Sequence, residues 1–189
     1  MLRDLLVKTR SFRSFDPDVK IKREELISFV DNARITAATR NLQPLKYKIV
    51  DTEPELSACL PALRFAASLG IKLPPDGHEP TSLIVMCHDN DVAPFKELYL
   101  KDIGICAEVI MLSATEAGYG SCMIGSYNEG ELKAALNLPE NLMINLVVAL
   151  GKPDETCVLV EAEDGNVKYY RDANNTHYVP KRTLEDILI

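Results

Sequence analysis

Cysteine pairs, a basic run and a long apolar run are all missing from this chain of 189 residues. Its five cysteines, Cys59, Cys87, Cys106, Cys122 and Cys157, are odd in number and widely spaced, with no C-x-x-C pair. That spacing argues against a disulfide framework and for reduced thiols packed as small core residues, as in a cytoplasmic protein. The net charge is −7 at pH 7. A general affinity for nucleic acid or anionic lipid would then need a local basic patch, and none of any length occurs. The apolar stretches break within about ten residues, well short of a bilayer span, so a soluble chain without membrane contact is expected. The opening "MLRDLLVKTR" is amphipathic with Asp4 inside it and lacks the basic, apolar and small-residue succession of a secretion signal.

Several nucleotide and hydrolase signatures are absent as well. The glycines at 118, 120 and 125 miss G-x-G-x-x-G because position 123 is Met, and no acidic residue completes a dinucleotide fingerprint. Gly120 and Gly125 have the phosphate-loop gap, but Ser126 stands where that loop needs Lys. The histidines, His78, His88 and His177, lie in separate segments without ligand spacing, so no metal is expected. "HDNDV" lacks the later Gly and Glu of a calcium loop. No nucleophile elbow or Ser-His-Asp pattern appears.

What is present is globular. Apolar residues make up 47% and charged residues 26%, enough apolar surface for one core, and residues 1–189 read as a single domain. Leu2, Leu5 and Leu6 share a helical face, predicting a first helix that ends near Arg10. Residues 22–35 carry Leu26, Phe29, Val30 and Ala33 at helical spacing, with Glu24 and Glu25 at the favourable end of the dipole. "YKIVD" predicts a strand, followed by a helix opening at Thr52 with Pro54 in its first turn. Residues 70–80 concentrate proline and glycine and predict an irregular loop. "TSLIVMCHD" reads as a strand buried on both faces. In the helix predicted over residues 99–117 the only charge between Ile103 and Ala114 is Glu108, so it sits at the centre of the fold or in a subunit interface. "GYGSCMIGS" leads into a helix at 129–137, residues 141–153 read as a second buried strand, and the tail holds polar turns and a last short helix or strand. Strands and helices mix without a βαβ rhythm, which predicts an α+β layered domain. No internal repeat occurs.

Basic residues gather twice, as Arg10 and Arg13 in "KTRSFRSFDP" and as Lys181 and Arg182 near the end. Each pair is either a solvated surface or an anion site, to which guanidiniums bring planar forks and Lys a point charge. Asn41 and Gln43 in "TRNLQPLKY" can donate and accept together, which suits a heterocycle edge, or they simply belong to a helix-to-strand turn.

Taken in order, these segments resemble the nitroreductase family of FMN-dependent oxidoreductases. "TRSFRSFD" is similar to the family's R-S-x-R-x-F opening, "TRNLQPLKYKIV" to its S-x-x-N-x-Q-P segment and first core strand, and "DIGICAEVIMLSATEAGYGSCMIGS" to its long central helix and glycine-rich exit. "LVVALGKPDE" resembles the strand ending in A-L-G-x-P, and "VPKRTLEDIL" the terminal basic motif. The resemblance implies a nitroreductase-like fold, with a mostly antiparallel central sheet flanked by helices and a homodimer built on a long interface helix with FMN at the subunit boundary. By matching position, Arg10, Ser11 and Arg13 contact the phosphate and ribityl chain, and Lys181 and Arg182 complete the phosphate cradle. Asn41 and Gln43 meet the cofactor across the interface, and Ile124, Gly125 and Ser126 turn backbone N–H groups toward the flavin near N5. Ala38 stands where the family has Ser, and "GIKLPPDGHEP" has no residue-by-residue match to the family's central cofactor segment. The lid over the substrate falls between residues 60 and 80 or near "NDVAPFKELYL".

The implied activity is ping-pong transfer of hydride from NADH or NADPH through flavin N5 to a small flat acceptor such as a nitroaromatic, quinone, enone or flavin. No protein nucleophile is required, because the cofactor carries the chemistry. The alternative is an FMN-binding carrier or redox-responsive module without NAD(P)H turnover.

Overall fold

A computed structural model describes residues 1–66 and 70–189. The part of the expected lid at 67–69 lies outside the described residues. The architecture is α+β, built on an antiparallel sheet between two helical layers. The chain opens with helix α1 (Leu2–Lys8) and a short strand β1 (Phe15–Asp16). It continues through helix α2 (Arg23–Arg34), strand β2 (Leu45–Val50) and helix α3 (Glu53–Cys59). Strand β3 (Ser82–Asp89), helix α4 (Leu100–Glu116) and strand β4 (Gly120–Ile124) follow. Helix α5 (Glu129–Leu136) then leads to the 12-residue strand β5 (Leu142–Pro153).

Strand β3 lies between β2 and β5 and is buried at every position. Alternation along the pleat sends its side chains to opposite faces. Leu83, Val85 and Cys87 join Leu56 and Cys59 of α3 and Leu132 and Leu136 of α5 in one core. Ile84 and Met86 meet Leu26 and Phe29 of α2 and Ile103, Ala107, Ile110 and Ala114 of α4 in the other. This two-sided cover is why β3 reads as a nearly unbroken apolar run rather than an alternating one. In β5 the pairing with β3 slips at one position, so that Met86 faces Leu146 while Cys87 faces Ile144. The extra residue, Asn145, forms a bulge, which allows Ile144 and Val147 to share one core although they are three residues apart.

The far half of β5 pairs on its other edge with β4 and then with β1. Strand β4 occupies part of the segment expected only as a glycine-rich exit from α4. Its five residues lack alternation because four of them are buried, so period-two reasoning had nothing to detect. Beyond β5, a small second sheet is made of β6 (Cys157–Glu161), β7 (Tyr170–Arg171) and β8 (His177–Lys181), with β8 in the middle, parallel to β6 and antiparallel to β7. The expected last short element is therefore β8, ending at Lys181, and residues 183–189 form only turns and irregular chain. Residues 70–80 are free of helix and strand, as expected. No helix among the described residues is long and apolar enough to cross a membrane.

Two glycines let the N-terminal segment lie against the sheet. A Cβ on Gly120 would sit 2.4 Å from Pro153 Cγ and 2.6 Å from the Phe12 ring, and one on Gly151 would sit 2.8 Å from the fully buried Phe15 ring. Gly151→Ala is therefore expected to lower stability by about 1–3 kcal/mol, the usual penalty for overpacking. A urea titration checks this, and unchanged midpoint and slope would show that the close approach is not constraining.

Candidate functional site

Residues 9–16 form a strap held from both sides. Thr9 is buried, and its Oγ1 donates to the Leu5 carbonyl at 2.8 Å and lies 3.0 Å from Thr115 Oγ1 near the end of α4. Ser11 bridges to Ser121 of β4, and the Phe12 N–H donates to the Ser121 carbonyl at 2.9 Å. On the opposite side the Arg13 N–H donates to the Glu155 carboxylate, and the Asp154 N–H donates to the Ser14 carbonyl at 3.0 Å. Phe15 then drops into the core, and its N–H donates to the His78 carbonyl at 3.0 Å. Backbone bonds on both edges leave the side chains of Arg10, Ser11 and Arg13 to line a cavity of about 330 Å³.

The other walls of this cavity come from Glu108 and Met111 of α4, Met123 of β4, and Tyr169, His177, Val179 and Lys181 of the small sheet and its approach. Three cations, Arg10, Arg13 and Lys181, face one carboxylate, Glu108, so this is a positive pocket on an acidic protein. Arg13 Nη1 donates to the Ser11 carbonyl at 3.1 Å, and its guanidinium stands 5.6 Å from the centre of the Tyr169 ring. Arg10 donates through Nη2 to the Leu6 carbonyl at the end of α1, and burial pulls its pKa below the usual arginine value, with Glu108 opposing. Three buried polar atoms of the lining residues have no hydrogen-bond partner among the described residues: Arg10 Nε, Arg13 Nε and His177 Nδ1. Buried polar groups are normally paired, so this concentration marks a place shaped to receive hydrogen-bond acceptors.

The remaining candidates lie elsewhere on the chain. Arg182 is exposed and does not line the cavity, because successive residues leaving a strand point to opposite sides. Ile124 is buried in the core and Gly125 and Ser126 are exposed just beyond it, at the end of β4 away from the Ser11 bridge. Asn41 and Gln43 are exposed near the start of α4. Arg40, Asn41 and Gln43 have φ of 53°, 55° and 54°, three side-chain-bearing residues in the left-handed region within four positions. Such strain persists only where the surroundings over-determine it. Here the buried Asp102 carboxylate supplies the anchor, accepting from the Thr39 N–H at 2.9 and 3.0 Å and from Thr39 Oγ1 at 2.8 Å. A smaller cavity of about 150 Å³ adjoins this turn, lined in part by Gln43, Tyr47, Asp102 and Cys106. Burial drives the Tyr47 phenol far above its ordinary pKa, with Cys106 and Asp102 adding to the effect. Asp102 and Met111 are nine residues apart on α4, about 13–14 Å along the axis. Within one chain, therefore, Asn41 and Gln43 lie well away from the Arg13 cavity.

A family model described as the nitroreductase family matches residues 6–152, a span that holds the strap, α4 and all but the last residue of the antiparallel sheet. The chain belongs to the nitroreductase family. An Archaeoglobus fulgidus protein provisionally named NADH dehydrogenase/NAD(P)H nitroreductase is 27% identical over 165 residues, covering 85% of this chain and 90% of that protein. A nitroreductase family protein from Clostridium novyi NT superimposes with a TM-score of 0.69 at 27% identity over 81% of this chain and 86% of that one. A structure from Exiguobacterium sibiricum 255-15, provisionally named a nitroreductase and solved in complex with FMN, gives a TM-score of 0.69 at 17% identity, covering 93% and 94%. The last likeness is one of fold alone. The nitroreductase family explains why the strap and α4 carry the legible motifs, since both fall inside the matched span.

Sequence reasoning missed the contribution of the small sheet, notably Glu155, Tyr169 and His177. Strands β6 and β7 are short and partly exposed, so neither periodicity nor spacing gave a signal. Glu155 and Arg171 form an ion pair whose side chains are only 1% and 9% exposed, and the same carboxylate holds the Arg13 backbone. Glu155→Ala leaves a buried guanidinium unpaired and is expected to cost about 3–5 kcal/mol. Chemical denaturation of the variant against Arg171→Met measures it, and a loss below about 1 kcal/mol would mean that the pair is solvated rather than structural.

Proposed function

We propose that residues 1–189 form one FMN-binding domain of an oxidoreductase that passes hydride from NADH or NADPH to a flat acceptor, a nitroaromatic, quinone, enone or flavin, in a ping-pong cycle. The observation that carries this reading is the convergence of three cations and of unpartnered buried polar atoms on the strap cavity. The residues fit a phosphate monoester. Guanidinium forks supply paired charge-assisted bonds, Lys181 a point charge and Ser11 a hydroxyl. Arg10, Ser11, Arg13 and Lys181 hold the phosphate end, and Arg182 strengthens the local positive field from the outside. From there the exposed Met123 leads to the turn of Ile124, Gly125 and Ser126, whose backbone N–H groups would face the flavin. Bound there, FMN supplies hydride exchange at N5. The chain's own part is to orient the ring, leave one face open and keep the phosphate desolvated. No side chain of the cavity has the arrangement of a nucleophile and its base.

The separation of Asn41 and Gln43 from the strap cavity supports a homodimer. With α4 of a second copy packed antiparallel, the Asn41 end of one protomer meets the Arg13 end of the other. Ile105, Glu108 and Leu112 follow one face of α4, and Leu100 and Ile105 remain 52% and 43% exposed. On α1, Leu2, Leu6 and Val7 are exposed as well, so a second copy would cover a substantial apolar area. Cysteines that are all unpaired, four of them buried, and a pyridine-nucleotide donor suit a cytoplasmic enzyme.

Purified protein loaded with FMN and desalted is expected to stay yellow and to bleach under anaerobic NADH or NADPH. Retained colour that neither nucleotide bleaches would replace the enzyme with a flavin-binding module. Lys181→Ala and Arg13→Ala are each expected to weaken FMN about tenfold to a hundredfold, the loss of one charge-assisted contact, while riboflavin binding changes little. Equal effects on both flavins would remove the phosphate from this cavity. Ile105→Glu is expected to shift the protein from dimer to monomer in light scattering and to release FMN, and a wild-type monomer that retains FMN would overturn the shared site.

A further inference from the structure

His177 is only 2% exposed and lines the strap cavity from the central strand of the small sheet. Its Nε2 lies 3.4 Å from Arg13 Nη1. A guanidinium can only donate, so Nε2 accepts and the proton of the neutral ring sits on Nδ1. That Nδ1 is buried and has no partner among the described residues. The imidazole thus fixes the Arg13 fork, together with the Ser11 carbonyl and the Tyr169 ring, and keeps one donor in reserve. Tyr169 stands 5.4 Å from it, centre to centre.

The charges around the ring decide what it does next. Arg13 faces it from the strap and Arg171 from β7, while Arg10, Lys181 and Glu108 complete the cavity wall. Glu155 is already engaged by Arg171 and by the Arg13 N–H. Cys157, its partner on β6, stays a thiol, since burial pushes its pKa up to about 12. Burial, Arg13 and Arg171 together hold the His177 pKa below the ordinary histidine value, with Glu155 opposing. A dianion between Arg10, Arg13 and Lys181 offsets the positive charge that faces the ring.

We propose that His177 is a proton-linked anion ligand: neutral while it accepts from Arg13, it takes a proton from solvent onto Nε2 when a phosphate-like dianion enters. Both ring nitrogens then donate, and the Arg13 N–H that Nε2 had accepted turns to the anion. This deepens the reading of the cavity as a phosphate site and rests on it. The sign follows from linkage. The pKa lies below about 6.5 without the anion and rises with it, so binding takes up a proton between the two values. Affinity increases as pH falls through that window and levels off below the lower value.

Sulfate is the suitable probe, because it remains a dianion throughout the range in which the phosphate of FMN would itself titrate. Calorimetry in two buffers of different ionisation enthalpy is expected to show sulfate binding about threefold to tenfold tighter at pH 5.5 than at pH 7.5, with proton uptake. Proton NMR of the wild-type ring resonances, assigned against His177→Gln, reads the pKa with and without saturating sulfate and does not depend on the variant's stability. His177→Gln retains an oxygen to accept from Arg13 but cannot titrate, so its sulfate affinity is expected to be flat with pH. A ring pKa that sulfate leaves unchanged, a wild-type pH slope in His177→Gln, or no sulfate binding at any pH would each overturn the proposal. Proton-linked sulfate binding in a protein that does not retain FMN would sustain this inference and overturn the flavin reading.

Discussion

The clamping of residues 9–16 between two sheets is the constraint on which the candidate site depends. A strap that carries two arginines three residues apart could swing freely at the surface of an acidic protein. Here its backbone is bonded to Ser121 on one edge and to Glu155 and Asp154 on the other, and Phe15 anchors its end in the core. The loss of conformational freedom is met once, in folding, so the guanidiniums face the cavity before any ligand arrives. Preorganisation of this kind removes an ordering cost from binding.

Clamping the strap requires both glycine and a buried charge. Gly120 and Gly151 let aromatic rings lie against the sheet where a Cβ would collide. Glu155 joins three things that are distant in sequence: the Arg13 backbone, the Arg171 side chain and the entry to β6. A buried carboxylate is costly unless its oxygens are occupied, and this one is occupied on both. The small sheet is therefore coupled to the strap through charge as well as packing, which is also how His177 and Tyr169 come to stand over Arg13.

Helix α4 plays the second organising part. One of its faces fills the core with Ile103, Ala107, Ile110 and Ala114. Its ends serve separate tasks, with Asp102 holding the strained turn of Asn41 and Gln43 and with Glu108 and Met111 walling the strap cavity. The helix is a spacer about two and a half turns long between these points. That spacing keeps the two groups of candidate site residues apart within one chain.

By itself the sequence determined the local elements and the matched motifs. Apolar runs marked β3, β5 and α4, helical spacing marked α2, and the two arginines of the strap stood out as a basic pair in a chain of net charge −7. These are short-range properties, set by periodicity and residue type. Strand β4 escaped because burial on both faces erased its alternation, and β6 and β7 escaped because short, half-exposed strands have almost no periodicity. Only the tertiary structure decided that Lys181 lines the strap cavity while Arg182 does not, that Glu155 fastens the strap, and that His177, which sequence spacing marked only as an isolated histidine, lies against Arg13. Each of those facts joins residues more than a hundred positions apart, or turns on which side of a strand a side chain leaves, and no local pattern carries that information.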